Sequence, residues 1–287
     1  MTWMKLPLKQ IAIAFTSTLA VVSSIDNFTS VQAQPIELKY PAFNISVKQN
    51  AEPPPDGRGG QPKQGTREGG ETDVRFVPPP PSDTKKPRGR RSGGASRDDC
   101  PAVDTPLTAL VPDNNLGLTI AESPTFWFFV PQLPAIARSG EFVLQDEKHN
   151  DIYRTPFRLS GKPGFVSIRL PSNLQSSLKR DQMYRWHFRI YCQPQTTSVY
   201  FWVEGWVKQV ALNPSLERQL ETAKPREYIA YAENGIWHEA VTKLAELRLS
   251  DPQNATLNEN WTQLLRAVGL EELAKEPLLG PVLPPEK

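Results

Sequence analysis

The stretch MYRWHFRIYC, residues 183–192, alternates without a break. Tyr184, Trp186, Phe188, Ile190 and Cys192 fall on one side of an extended chain, and Arg185, His187, Arg189 and Tyr191 on the other. Successive side chains of a strand point to opposite faces, so the pattern demands a strand with one buried face and one wet face. Six further short runs follow the same logic: LGLTIAE, TFWFFVP, EFVLQDE, DIYRTPFRL, GFVSIRL and SVYFWVEGWVKQV. They recur every 8 to 15 residues or so with turn chemistry between them, which predicts an all-β sandwich over residues 100–212. EKHND (Glu147 to Asp151) reads as a hairpin turn, and GKPG (Gly161 to Gly164) as a break between two runs.

Leu178 with Tyr184 at the start of the alternating strand resembles the tyrosine corner of immunoglobulin-like and fibronectin-type sandwiches, whose phenol bonds back to the preceding loop. TFWFFVPQ, residues 125–132, poses a different problem, because both of its faces are greasy. A sandwich covers one face. Something else must cover the second.

After Val210 the period of the apolar residues changes from two to between three and four. Asn213-Pro214 is a cap followed by a first-turn proline, and Leu216 with Leu220 gives a short helix. A second helix is predicted from Lys224-Pro225 to Asn234, stopped by Gly235. Trp237, Ala240, Val241, Leu244, Ala245 and Leu247 mark a third, and Leu257, Trp261, Leu264, Leu265 and Val268 a fourth. In GIWHEAVTKLAELRLSDP the spacing of Gly235, Trp237, Ala240, Leu244, Leu247 and Pro252 resembles the second helix of a tetratricopeptide repeat. About one and a half repeats fit into residues 213–270, too few to bury their own faces. The helices are therefore expected to dock on the sandwich near Phe126, Phe128 and Trp202; the rival is a free, peptide-binding helical pair. Residues 271–287 are Pro-rich and read as a disordered tail.

The N-terminus has Lys5 and Lys9 ahead of an apolar stretch from Ile11 to Val22, shorter than the roughly 20 residues that span a bilayer. It reads as a signal peptide over residues 1–33, cleaved after Ala33 in Val31-Gln32-Ala33, and no later stretch could span a membrane. Export makes a bridge between Cys100 and Cys192 the expected state of the chain's 2 cysteines. Closing that loop stabilises the fold by about 4 to 5 kcal/mol in the chain-entropy treatment.

Between the signal and the first run, residues 34–99 hold much of the chain's Pro and Gly with few apolar residues, and read as a disordered linker. Within it Lys85, Lys86, Arg88, Arg90, Arg91 and Arg97 form a basic tether with no acid among them. Outside the cytoplasm such a run would meet anionic cell-wall polymers rather than nucleic acid. The bland alternative is a solvated spacer. Overall, 33 Lys plus Arg against 31 Asp plus Glu leave a formal charge of +2, which argues for neither a nucleic-acid binder nor a binder of acidic ligands.

Chemistry is sparse. GxSxG, HExxH, phosphate-loop and dinucleotide signatures are missing from the sequence, and no metal-ligand spacing or cofactor motif suggests itself. The best cluster is Arg185, His187 and Arg189 with Glu204, provided the last two runs pair. An imidazole beside a carboxylate could move a proton, but cross-strand charge pairs on a wet sheet face are the commoner outcome. Trp202 and Trp206 sit four apart on one strand and could stack on a sugar, although core packing is the more frequent fate. His238-Glu239 lacks the second histidine of a zincin and reads as helix surface.

From CPAVDTPLTALVPDNNLGLTIAESPTFWFFVP through YRWHFRIYC, EGWVKQV and AENGIWHEAVTKLAELR, residues 100 to about 270 resemble the cyanobacterial family described as domain of unknown function 928. The resemblance implies an uncharacterised protein of the cell envelope and supplies no catalytic residues. The expected function is that of an exported, non-enzymatic interaction module whose partner is an envelope protein. One alternative is a glycan or cell-wall binder, and another is an envelope hydrolase or transferase built on His187 and Glu204.

Overall fold

The computed structural model describes residues 74–79, 88–95, 100–172, 177–193 and 195–285. The expected signal peptide, most of the expected linker, and Lys85, Lys86 and Arg97 of the basic tether lie outside them.

All seven alternating runs are strands: β3 (Leu116–Thr119), β4 (Thr125–Val130), β5 (Ser139–Gln145), β6 (Asp151–Arg158), β7 (Gly164–Arg169), β8 (Met183–Gln193) and β9 (Thr196–Gln209). Three more were not expected: β1 (Arg90–Ala95), β2 (Thr108–Ala109) and β10 (Leu278–Pro281). They join in one sheet of order β10-β7-β4-β2-β1-β9-β8-β5-β6, with β3 also paired to β9. The fold is thus mainly β, and the layers face each other because this single sheet curls. Phe128 of β4 stacks on Phe188 of β8 with ring centroids 4.0 Å apart, and Phe126 tilts against Trp186 at 6.1 Å. Around them Phe142, Leu144, Tyr184, Ile190 and Val203 complete the inner core.

EKHND forms the β5–β6 hairpin, where Asp146 accepts bonds from the backbone N–H groups of Lys148 and Asn150. The Tyr184 hydroxyl accepts from the backbone N–H of Lys179 at 3.1 Å, tying the loop to the start of β8. Cys100 and Cys192 are bridged, with Cα atoms 5.6 Å apart, so the chain ahead of β2 is stapled to the end of β8.

Four helices lie between β9 and β10: α1 (Pro214–Thr222), α2 (Glu227–Glu233), α3 (Trp237–Ser250) and α4 (Ala255–Arg266). Asn213 and Asn254 cap α1 and α4 by accepting from Leu216 and Leu257 N–H, as short polar side chains at N-caps do. The helices dock on the sheet, and Trp237 and Trp261 are completely buried. The face they cover is not the expected one. Trp127 and Phe129, not Phe126 and Phe128, form the outer face of β4, with Phe165 of β7 beside them. Trp127 Nε1 donates to Thr242 of α3, Trp237 Nε1 donates to the Leu110 carbonyl, and Phe165 meets Trp261 edge-on at 5.3 Å. Trp202 lies on β9, outside that cluster.

Two expectations of disorder need correction. Arg90–Ala95 of the expected linker is the strand that joins the two layers, pairing with β2 at Ser92↔Thr108 and with β9 at Arg90↔Glu204. Backbone groups hold it, so it needs few apolar side chains. Its Gly93 also serves the approach, since a Cβ there would lie 3.1 Å from Leu107 N. Likewise the Pro-rich tail contains a 3-10 turn (Glu271–Leu273) and β10, which lies parallel to β7. Beyond it Leu283 exchanges two backbone bonds with Arg158.

Candidate functional site

The β8–β9 register sets Arg185 opposite Trp206, His187 opposite Glu204 and Arg189 opposite Trp202. The same period of two that sends Trp186 and Phe188 into the core sends these six to the outer face. All six candidate residues therefore share one surface.

Glu204 is its centre. Its Oε2 accepts from Arg185 Nη2 at 2.6 Å and lies 3.2 Å from His187 Nδ1. Burial pushes the Glu204 carboxyl up, but the bonds from His187 and Arg185 outweigh it and hold the group below the usual carboxylate range. The other ring nitrogen of His187 is 3.2 Å from Gln145 Oε1 on β5. The array continues outward: Arg189 donates to Glu141 of β5 at 2.9 Å, and Arg154 of β6 bridges Glu141 and Asp151. Arg189 also lies over the Tyr200 ring at 5.2 Å.

This geometry limits the chemistry. The imidazole and carboxylate do meet, yet both ring nitrogens already face acceptors and the carboxylate is pinned by two donors, which disfavours it as a proton acceptor. Cross-strand pairing describes the array better than a proton relay does.

The basic segment reaches the same surface. Arg90 lies over Trp202, 4.9 Å from the ring centroid, and Trp206 Nε1 donates to the Arg88 carbonyl at 2.8 Å. Two expectations made separately, a basic tether and an aromatic platform, occupy each other. Arg91 turns elsewhere and donates to the Val268 carbonyl after α4 at 2.6 Å. Burial lowers its pKa, with Asp113 and Glu272 opposing.

His238 and Glu239 are not helix surface. His238 is buried, its Nδ1 donates to the Thr125 carbonyl at 3.1 Å, and its ring meets Phe126 edge-on at 4.9 Å. A Cβ on Gly117 of β3 would come within 2.4 Å of its Nε2, so the ring fits only because residue 117 has no side chain. Burial lowers the His238 pKa to about 4. Glu239 Oε1 accepts from Thr119 Oγ1 at 2.5 Å and from the N–H groups of Ile120 and Ala121, closing the end of β3 against the first turn of α3. Burial raises the Glu239 pKa against those bonds. Beside the pair lies a polar cleft of about 180 Å³ lined by Ser123, Thr125, Arg169, Thr242, Lys243 and Glu246. Successive residues of a helix point about 100° apart, and because the first turn of α3 sits on both β3 and β4, Trp237 and His238 are buried together.

Among the described residues no cluster of three or more His, Cys, Asp or Glu could hold a metal ion. No helix among them is long and apolar enough to cross a membrane.

The family model for the Domain of Unknown Function DUF928 matches residues 92–278, well over half the chain. The chain belongs to this family. The DUF928 match begins inside β1 and ends on the first residue of β10, so it takes in the joining strand as well as the helices. Val74–Pro79 precede it. No curated protein matches this DUF928 chain.

Proposed function

We propose that this protein is an exported, non-enzymatic interaction module of the cell envelope that binds a partner protein through the outer face of β8 and β9. The observation that carries the reading is the composition and fixity of that face. Arg185, Arg189, Trp202, Trp206 and Tyr200 are of the residue types that dominate binding energy at protein interfaces. Here their neighbours already hold them, through Glu141, Glu204 and Arg90. A surface set in advance loses less side-chain freedom on association. The Cys100–Cys192 bridge supports export, because such bridges persist in oxidising compartments. In this reading the curled β layers are an immunoglobulin- or fibronectin-like platform, supported by the Tyr184 bond to Lys179, and α2 with α3 are a tetratricopeptide-like pair.

A glycan ligand is the second reading, favoured by Trp202 and Trp206 sharing the face. The guanidinium over Trp202 already takes one stacking surface, which weighs against it.

The experiment is a pull-down from detergent-solubilised envelope with the mature chain and with an Arg185→Glu/Arg189→Glu variant, read by mass spectrometry at low and high salt. A protein held at high salt by the first and lost by the second is expected. Equal retention by both sinks the outer-face reading. Retention of wall polysaccharide alone, with Trp202 quenching, favours the glycan.

A further inference from the structure

A short segment of the expected linker, Val74–Pro79, lies against the helices with neither helix nor turn in it, and buried and exposed residues alternate from Val74 to Val77. It is bound the way a peptide ligand is bound. The Val74 N–H donates to Gln263 Oε1 of α4 at 3.0 Å, and the Val77 N–H donates to the Ala232 carbonyl near the end of α2 at 3.0 Å. Val74 and Phe76 are buried in the cluster that holds Trp237 and Trp261, with the Phe76 ring edge-on to Trp237 at 4.9 Å. Arg75 and Val77 between and after them face solvent. Alternate side chains in pockets with backbone bonds between them is the mode by which grooves read extended peptides.

Gly235 shows how closely the turn between α2 and α3 fits this occupant. Its φ of +72° suits glycine, and a Cβ there would lie 2.9 Å from the Val77 carbonyl oxygen and 3.3 Å from Pro79 Cδ. The groove also belongs to a different part of the chain from its occupant: Ala232, Gly235, Trp237 and Gln263 fall within the family match at 92–278, and Val74–Pro79 fall ahead of it. Six residues make a contact far smaller than a stable protein interface. The covalent link through residues 80–87 supplies the rest, since a short connection raises the local concentration of the segment to roughly millimolar.

We propose that this groove is an exchangeable peptide-docking site, occupied in cis by Val74–Pro79. Its partner is an extended peptide with an aliphatic residue, an aromatic residue two positions on, and a Pro-Pro pair beginning two positions after that. The site is distinct from the β8–β9 face, and either can fail without the other.

The test uses the full chain and a labelled synthetic peptide of residues 72–81. Phe76→Asp empties the groove. The peptide should bind that variant about tenfold more tightly than the unaltered chain, the factor expected when a segment at about 1 mM competes for a site of about 0.1 mM affinity. A scrambled peptide should bind neither. In a second chain a protease site replaces Ser82 to Lys85, and cutting it after folding leaves every groove contact in place. There the N-terminal fragment should be displaced by excess peptide on gel filtration. No gain of binding in a folded Phe76→Asp chain overturns the proposal, as does a cut fragment that excess peptide fails to displace. Should Phe76→Asp not fold, the cut chain alone decides.

Discussion

Strands β4 and β8 neighbour the same core yet solve opposite problems. β8 has one dry face and one wet one, and its wet side is organised by charge: Arg185, His187 and Arg189 each meet an acid or amide on β9 or β5. β4 is dry on both sides, with Phe126 and Phe128 facing the other β layer and Trp127 and Phe129 facing the helices. A strand with one apolar face needs one partner layer, and a strand with two needs a second element brought from elsewhere in the chain. The helical tail is that element, so helices and sheet share one stability.

The largest test of that difference is to empty each side of β4 in turn. Phe128→Ala and Trp237→Ala should each cost about 3 to 5 kcal/mol in urea unfolding, within a single transition, because both leave a cavity among fully buried aromatics. A Trp237→Ala chain that loses under about 1 kcal/mol, or that unfolds in two steps, would show the helices to be independent of the sheet.

Acid should separate the two regions next. His238 lies in the helix–sheet contact and its pKa falls from 6.5 to about 4 on folding. The unfolded chain then binds the proton more tightly, so the contribution of His238 is complete above pH 6.5 and fades as pH falls towards 4. Across that window it amounts to about 3 kcal/mol for a fully buried ring. His238→Asn, whose amide can still donate to the Thr125 carbonyl, should flatten the stability profile between pH 6.5 and 4 relative to the unaltered chain. An unchanged slope would mean the ring is not desolvated there.

The wet face should give the smallest effect. Arg189→Ala removes a pair that is about a quarter exposed on the arginine side, and should cost about 1 kcal/mol or less, diminishing in salt. A loss equal to that of Phe128→Ala would mean this face is structural core.

Side-chain period made β3 through β9 legible, since each of these runs has apolar side chains that must be hidden. β1 was not, because RRSGGA is held by backbone pairing and by the close approach Gly93 permits, and neither leaves an apolar trace. β10 does carry apolar residues, Leu278 and Leu279, which pack on the two cores, but two residues ahead of Gly280 and Pro281 are too few to show a period. The docking of the helices could be inferred from the second greasy face of TFWFFVPQ, but its phase could not. With apolar residues at every position the alternation carries no mark of which side is which, and a slip of one residue exchanges the faces. Arg185, His187, Arg189 and Glu204 could be brought together on the assumption of an antiparallel pair, which the β8–β9 register now meets. That Arg90 would lie over Trp202 and the Arg88 carbonyl would meet Trp206 had no sequence signal beyond the charge run itself.

The position of β1 also sets an order of events. It leaves the ribosome before any other strand in the sheet, yet one of its edges must wait for β9, over a hundred residues later. Until then β1 can pair with β2 on one edge only, and its other edge, carrying Arg90, stays open. Contacts so distant in sequence are slow to form. The sheet therefore cannot run unbroken through β1 until β9 has been made, however early β1 itself appears.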